Sequence, residues 1–98
     1  MRLIYHPHAR AEIVEAATYY QSRLPGLGVQ LHDEANRTVL KILKAPRRWR
    51  TIDADIRRAL MARFPFAVYY RVFPDHVQIL AFKHHKRHPD YWRYRLNE

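Results

Sequence analysis

The residues best able to do chemistry crowd into the last third of the chain. Lys83, His84, His85, Lys86, Arg87 and His88 run consecutively, and Tyr91, Trp92, Arg93 and Arg95 follow soon after. An imidazole titrates near neutrality, so His84 and His85 are candidates to give or take a proton at physiological pH. With His88, and with His6 and His8 near the start, they are also potential metal ligands. No carboxylate stands at a recognised ligand spacing from them, however, and neither a metal nor another cofactor is expected. The chain has no cysteine, which excludes thiol catalysis, Cys-ligated zinc and disulfide staples together.

Around these groups lies a large excess of positive charge. Eighteen Lys and Arg against nine Asp and Glu leave a formal net charge of +9, which attracts polyanions: nucleic acid, a ribosome or an acidic protein. The chain is close to balanced up to Pro46. Beyond it Arg47-Arg48, Arg50, Arg57-Arg58, Arg63 and Arg71 join Lys83, Lys86-Arg87, Arg93 and Arg95. Charge gathered in one half marks a binding patch, with Arg58, Arg63, Lys83, Arg87, Trp92 and Arg93 as its candidate contacts. Arg57 and Arg58 point to opposite faces of a strand, so at most one belongs to a shared anion site. The acids Glu12, Glu15, Asp33 and Glu34 read as solvated charges on helix wheels, not as a paired-carboxylate acid–base site.

The elements that must position these groups follow from the periodicity. Ile13, Ala16, Ala17, Tyr20 and Leu24 recur at helical spacing, with Pro7 suited to the first turn. Pro25-Gly26-Leu27-Gly28 is a turn signal. After it Leu27, Leu31, Ala35, Thr38, Val39, Ile42 and Leu43 form a second stripe that Pro46 terminates. So short a loop predicts an antiparallel helical hairpin. From Thr51 the period becomes two. Val68, Tyr70 and Val72 alternate with Ala67, Tyr69 and Arg71; Val77, Ile79 and Ala81 alternate with Gln78, Leu80 and Phe82. The short Pro74-Asp75 connection makes this a β-hairpin. Ile56 to Ala62 adds a strand, and Met1 to Tyr5 a first one.

The expected architecture is a single α+β domain over residues 1–98: an N-terminal strand, then a helical hairpin packed on a mainly antiparallel sheet of three further strands. The functional face is expected to be the one the helices leave uncovered. One of Tyr69 and Tyr70 belongs to the core, and Tyr91 and Trp92 after Pro89 either pack the tail onto the sheet or serve the site. No apolar run is long enough for a signal peptide or a membrane span, so a soluble, cytoplasmic protein is expected.

Over nearly its whole length the chain resembles the RelE/ParE toxins of type II toxin–antitoxin pairs. The matching residues are His6-Pro7-His8-Ala9 before Glu12, Ala16-Ala17-Thr18-Tyr19-Tyr20, and Pro25-Gly26-Leu27-Gly28. Ile56-Arg57-Arg58, Arg63-Phe64-Pro65-Phe66-Ala67-Val68-Tyr69-Tyr70 and the tail from His84 to Trp92 complete the pattern. The resemblance implies a two-helix, antiparallel-sheet fold, an acidic antitoxin encoded alongside, and growth arrest by the free toxin. Two toxic mechanisms come with it. RelE-like members cut messenger RNA in the ribosome; ParE-like members poison DNA gyrase without cutting nucleic acid themselves.

Cleavage by a 2′-hydroxyl needs a base, an acid and cations facing the charge that grows on phosphorus. In the resemblance Tyr91 matches the C-terminal tyrosine of such ribonucleases, and His85, with His84 beside it, stands where they carry an arginine. Ala67 replaces another of their arginines. His84, His85 and Tyr91 are thus the candidate catalytic residues if the chain is a ribosome-dependent ribonuclease. The loss of a cation at Ala67 tilts the expectation toward a gyrase-binding toxin. A non-toxic, basic nucleic-acid-binding accessory domain is the third reading.

Overall fold

The computed structural model describes every residue, Met1–Glu98. Strand β1 (Arg2–Tyr5) leads into helices α1 (Pro7–Arg23) and α2 (Leu27–Lys44). Strands β2 (Thr51–Asp53), β3 (Ile56–Leu60), β4 (Phe66–Val72) and β5 (His76–His84) follow, and a 3₁₀ turn (Arg93–Asn97) ends the tail. The sheet order is β1-β5-β4-β3-β2. β1 runs parallel to β5, whereas the other pairs are antiparallel. The domain is α+β as expected, with one strand more than the periodicity announces. β2 is three exposed residues paired with β3, too short to carry a period.

The helices start and stop for local reasons. Pro7 occupies the first turn of α1, where its missing N–H is no loss. The ring of His6 accepts from the His8 N–H at 3.1 Å. In α2, Leu31, Ala35, Val39 and Ile42 are buried at spacings of four, four and three, and they meet the buried Ala9, Ile13 and Ala16 of α1. Both helices close over Phe66, Val68, Tyr70, Val77, Ile79 and Phe82, and burial of this apolar surface is the main stabilising term. No helix is long and apolar enough to cross a membrane.

Strict alternation fails at one place in β5. Tyr69 pairs with Ala81 but Tyr70 with Ile79, leaving Leu80 as an extra residue. Such a β-bulge inverts the facing of everything beyond it. Leu80 and Ala81 therefore both lie on the side away from the helices, with Ile56, Ala67, Tyr69 and Trp92, in a second and smaller core. Phe82, expected on that side, enters the helix-side core instead.

The two glycines of the helical turn have different duties. Gly26 has φ +94° and nothing within 4 Å of the position a Cβ would take, so only its backbone angle demands glycine. Gly28 has ordinary φ, but a Cβ there would stand 2.2 Å from the Ala17 carbonyl and 2.8 Å from Gln21 Cβ. Gln21 Oε1 accepts from both glycine N–H groups at 3.1 Å, tying the end of α1 to the start of α2. Replacing Gly28 by Ala should therefore cost more than the same change at Gly26. We expect about 1–3 kcal/mol or more from overpacking at Gly28, and about 1 kcal/mol of backbone strain at Gly26. Thermal melts of both variants check this; a larger loss at Gly26 would contradict the close approach of the helices.

Candidate functional site

β1 ends at Tyr5 while β5 continues to His84, so the far half of β5 has no strand along one edge. The His6 N–H still donates to the Ile79 carbonyl at 2.8 Å. Beyond that point an open edge would strand backbone polar groups, and side chains take the place of the missing strand. Glu12 Oε1 accepts from the Phe82 N–H at 3.0 Å, and Arg95 Nη1 donates to the Leu80 carbonyl at 2.9 Å. The two are themselves joined by a two-pronged ion pair, Nη1 to Oε1 and Nη2 to Oε2, both 2.9 Å. The Tyr91 hydroxyl donates to Oε2 at 2.6 Å and Arg87 Nη1 at 3.3 Å.

Only 10% of the Glu12 side chain and 4% of the Arg95 side chain reach solvent. Burial alone would lower the Arg95 pKa, but its hydrogen bonds to Glu12 outweigh that and hold it above the usual value. Burial, then the bond to Glu12, pushes the Tyr91 hydroxyl well above an ordinary phenol. Glu12 is thus not the solvated charge expected from the helix wheel, and neither is Glu34. Buried Glu34 accepts through Oε2 from the Ala62 and Arg63 N–H groups at 2.8 and 3.1 Å, closing the turn after β3. A wheel shows a helix by itself and cannot show a partner brought in from elsewhere in the chain. Glu15 and Asp33 are exposed, as expected.

The bulge decides where the candidate residues go. His84 turns to the helix side, edge-on to Phe66 at 5.0 Å, in a groove of about 410 Å³ shared with Glu12, Glu15, Tyr19, Tyr20 and Arg87. Its Nδ1 accepts from the Lys86 N–H at 3.0 Å. Burial, then the charges of His85, Lys86 and Lys83, hold its pKa below the ordinary value. Lys83 faces the other way and is buried, donating to the His84 and His85 carbonyls. Burial and then Arg58 and Arg87 lower its pKa. His85 is exposed at the end of β5.

Tyr91 lies behind Glu12 with Arg87 stacked on its ring at 3.8 Å. Trp92 is buried against Tyr69 at 5.3 Å, so it fixes the tail on the sheet. Arg93 is paired with Asp53 and Asp90 at 2.5 and 2.6 Å. Arg58 is exposed on the outer face, and Arg63 donates to Gln30 at 2.7 Å beside α2. His84, Arg87 and Tyr91 therefore gather around Glu12, whereas His85, Lys83, Arg58, Arg63, Trp92 and Arg93 do not join them. No group of three or more His, Cys, Asp or Glu side chains is placed to hold a metal.

A second surface was missed at the level of sequence. Nine Arg and Lys lie between Arg37 and Arg63, with two acids, Asp53 and Asp55, among them. Both acids pair with arginines from outside it, Asp53 with Arg93 and Asp55 with Arg71, and none of the nine cations has a carboxylate partner within 4.0 Å. At their centre stands half-buried Trp49, whose ring lies edge-on to Tyr70 at 6.5 Å with the Arg48 guanidinium 5.6 Å away. The signal for it was an aromatic residue inside Arg47-Arg48-Trp49-Arg50.

Removing one partner of a buried pair leaves the other charge uncompensated. Arg95→Ala should cost about 3–5 kcal/mol of stability by urea denaturation. Glu12→Gln, which keeps an acceptor for Phe82, should cost less; a loss below about 1 kcal/mol for Arg95→Ala would mean the tail is incidental. A second expectation concerns pH. The folded-state pKa of His84 lies below the unfolded value near 6.5, so the unfolded chain binds more protons between the two. The stability this group contributes is present above about pH 6.5 and is lost as pH falls through that window. Thermal midpoints between pH 7.5 and about 5 should fall less steeply in His84→Gln than in the parent chain.

Comparison with models of known protein families finds no match, and comparison with curated protein sequences finds none. Comparison with solved structures does find matches. A chain from the chromosomal ParDE TA system of P. aeruginosa superposes with a TM-score of 0.76 at 18% sequence identity, covering 86% of this chain and 95% of that one. At that identity the likeness speaks for the backbone arrangement, and it extends over nearly the whole of both chains. The protein has the ParE-like α+β fold found in that toxin–antitoxin system.

Proposed function

We propose that this chain is the toxin of a type II toxin–antitoxin pair, that it acts in the cytoplasm by binding DNA gyrase, and that an acidic cognate antitoxin neutralises it. The observation that carries the proposal is the near-complete superposition on a chain of the ParDE system, joined to the +9 charge. Binding is favoured over RNA cleavage by the state of the tail. The Tyr91 hydroxyl is engaged by Glu12 and its pKa is raised, so it is poorly matched to proton transfer near neutrality. Lys83 is buried against carbonyls, out of reach of a phosphate.

The antitoxin has a fitting place on the outer surface of the helical hairpin. There an apolar groove of about 640 Å³ runs between α1 and α2, with Val14 and Val29 more than half exposed. An amphipathic acidic segment laid in it would bury those valines while answering the charge of the domain. Val29→Asp should therefore weaken the complex by tenfold or more, an estimate on the order of 1–3 kcal/mol for a polar group in an apolar contact. The association rate should also fall with added salt. A rate indifferent to ionic strength would remove the electrostatic half of the idea.

The target is tested by giving the purified chain to a gyrase supercoiling assay and, in parallel, to messenger RNA in translating ribosomes. The proposal expects lost supercoiling and intact message, with toxicity retained in His84→Ala, His85→Ala and Tyr91→Phe variants that still fold. Cleaved messenger RNA, reduced by about 10²–10⁴ in one of these variants while ribosome binding survives, would replace the gyrase reading with the ribonuclease one.

A further inference from the structure

The Trp49 surface has no part in the toxin mechanism argued above, yet it carries the features of a built binding site. Two shallow grooves meet at the indole. One, of about 300 Å³, lies between α2 and the end of β3, with Glu34, Arg37, Lys41 and Arg63 in its walls. The other, of about 320 Å³, continues past Leu60 to Arg50 and Arg58. Leu60 is 61% exposed and Ile52 41% exposed beside it. An aromatic platform, apolar flanks and unpaired cations on both sides are the elements that hold a nucleic-acid strand by stacking its bases and neutralising its backbone.

One further observation narrows the ligand. Glu34 is 7% exposed, and its Oε2 is satisfied by two backbone N–H groups, but its Oε1 is buried without a hydrogen-bond partner. A buried carboxylate oxygen left without a donor is unfavourable, and it favours a ligand that brings one. An acidic peptide would set carboxylate against carboxylate here. A nucleotide instead combines an anionic phosphate for Arg37, Lys41 and Arg63 with N–H donors on the edge of its base. Every base carries at least one such donor.

We propose that the Trp49 groove binds single-stranded nucleic acid, stacking a base on the Trp49 indole and offering the free oxygen of Glu34 to a base N–H. The site is separate from the Glu12 cluster, and the proposal does not rest on the toxin's target. Its test is the direct binding of a labelled octauridylate to the whole chain, and of the same octamer in deoxy form to separate RNA from DNA. Trp49→Leu should weaken binding about tenfold, in keeping with one lost stacking contact. Glu34→Gln keeps an oxygen for the Ala62 and Arg63 amides but turns the free position into a donor, so it should weaken binding severalfold. If that variant fails to fold, Arg37→Ser with Lys41→Ser keeps the test alive, because the salt dependence of binding must then become shallower. Equal affinity of Trp49→Leu and the parent chain overturns the proposal. So does equal binding of a duplex of the same sequence, or competition by polyglutamate as effective as by unlabelled octamer.

Discussion

The Glu12–Arg95 pair is the constraint on which the rest of this structure depends. A short first strand leaves half of the longest strand without a neighbour on one side, and a sheet edge in that state is both unsatisfied and prone to pairing with foreign chains. Two side chains complete the edge, one from the first helix and one from the tail. In doing so they fix the distance between that helix and the sheet and press Trp92 onto the outer face. Replacing an ion pair of this kind by apolar groups is often neutral elsewhere. Here an apolar pair would leave the Phe82 N–H and Leu80 carbonyl with nothing to bond, so the charges are held in place by the backbone they serve.

The bulge at Leu80 is the second decision of the fold. One inserted residue sends Phe82 and His84 under the helices and turns Lys83 to the opposite side, so neighbouring titratable groups serve different faces of one sheet. It also places the Leu80 carbonyl and Phe82 N–H, two residues apart, where Arg95 and Glu12 meet them. The edge repair and the facing of the histidines are consequences of the same irregularity.

Much of the architecture was legible in the sequence. Two helical stripes, the Pro-Gly turn and the alternating hairpin of β4 and β5 each carry a local period, and the core residues Leu31, Val39, Val68 and Ile79 lie where those periods put them. The features that govern the candidate site have no local period. β2 is too short, a bulge is one residue out of phase, and Glu12 meets Arg95 across 83 positions. Glu34 reads as a surface acid until the turn at Ala62 is folded against it. Trp49 was visible as an aromatic among arginines, but the two acids nearest those arginines are drawn away by Arg71 and Arg93, which only the fold reveals.

The long reach between Glu12 and Arg95 also sets an order of events during synthesis. β1 and α1 are made first, yet the edge they must share cannot be completed until residues 80–95 exist. Structure dominated by such distant contacts forms late and slowly relative to local helices. Until the tail exists, the edge of β5 beyond Ile79 lacks the side chain that answers the Leu80 carbonyl, and the Glu12 cluster is complete only with it.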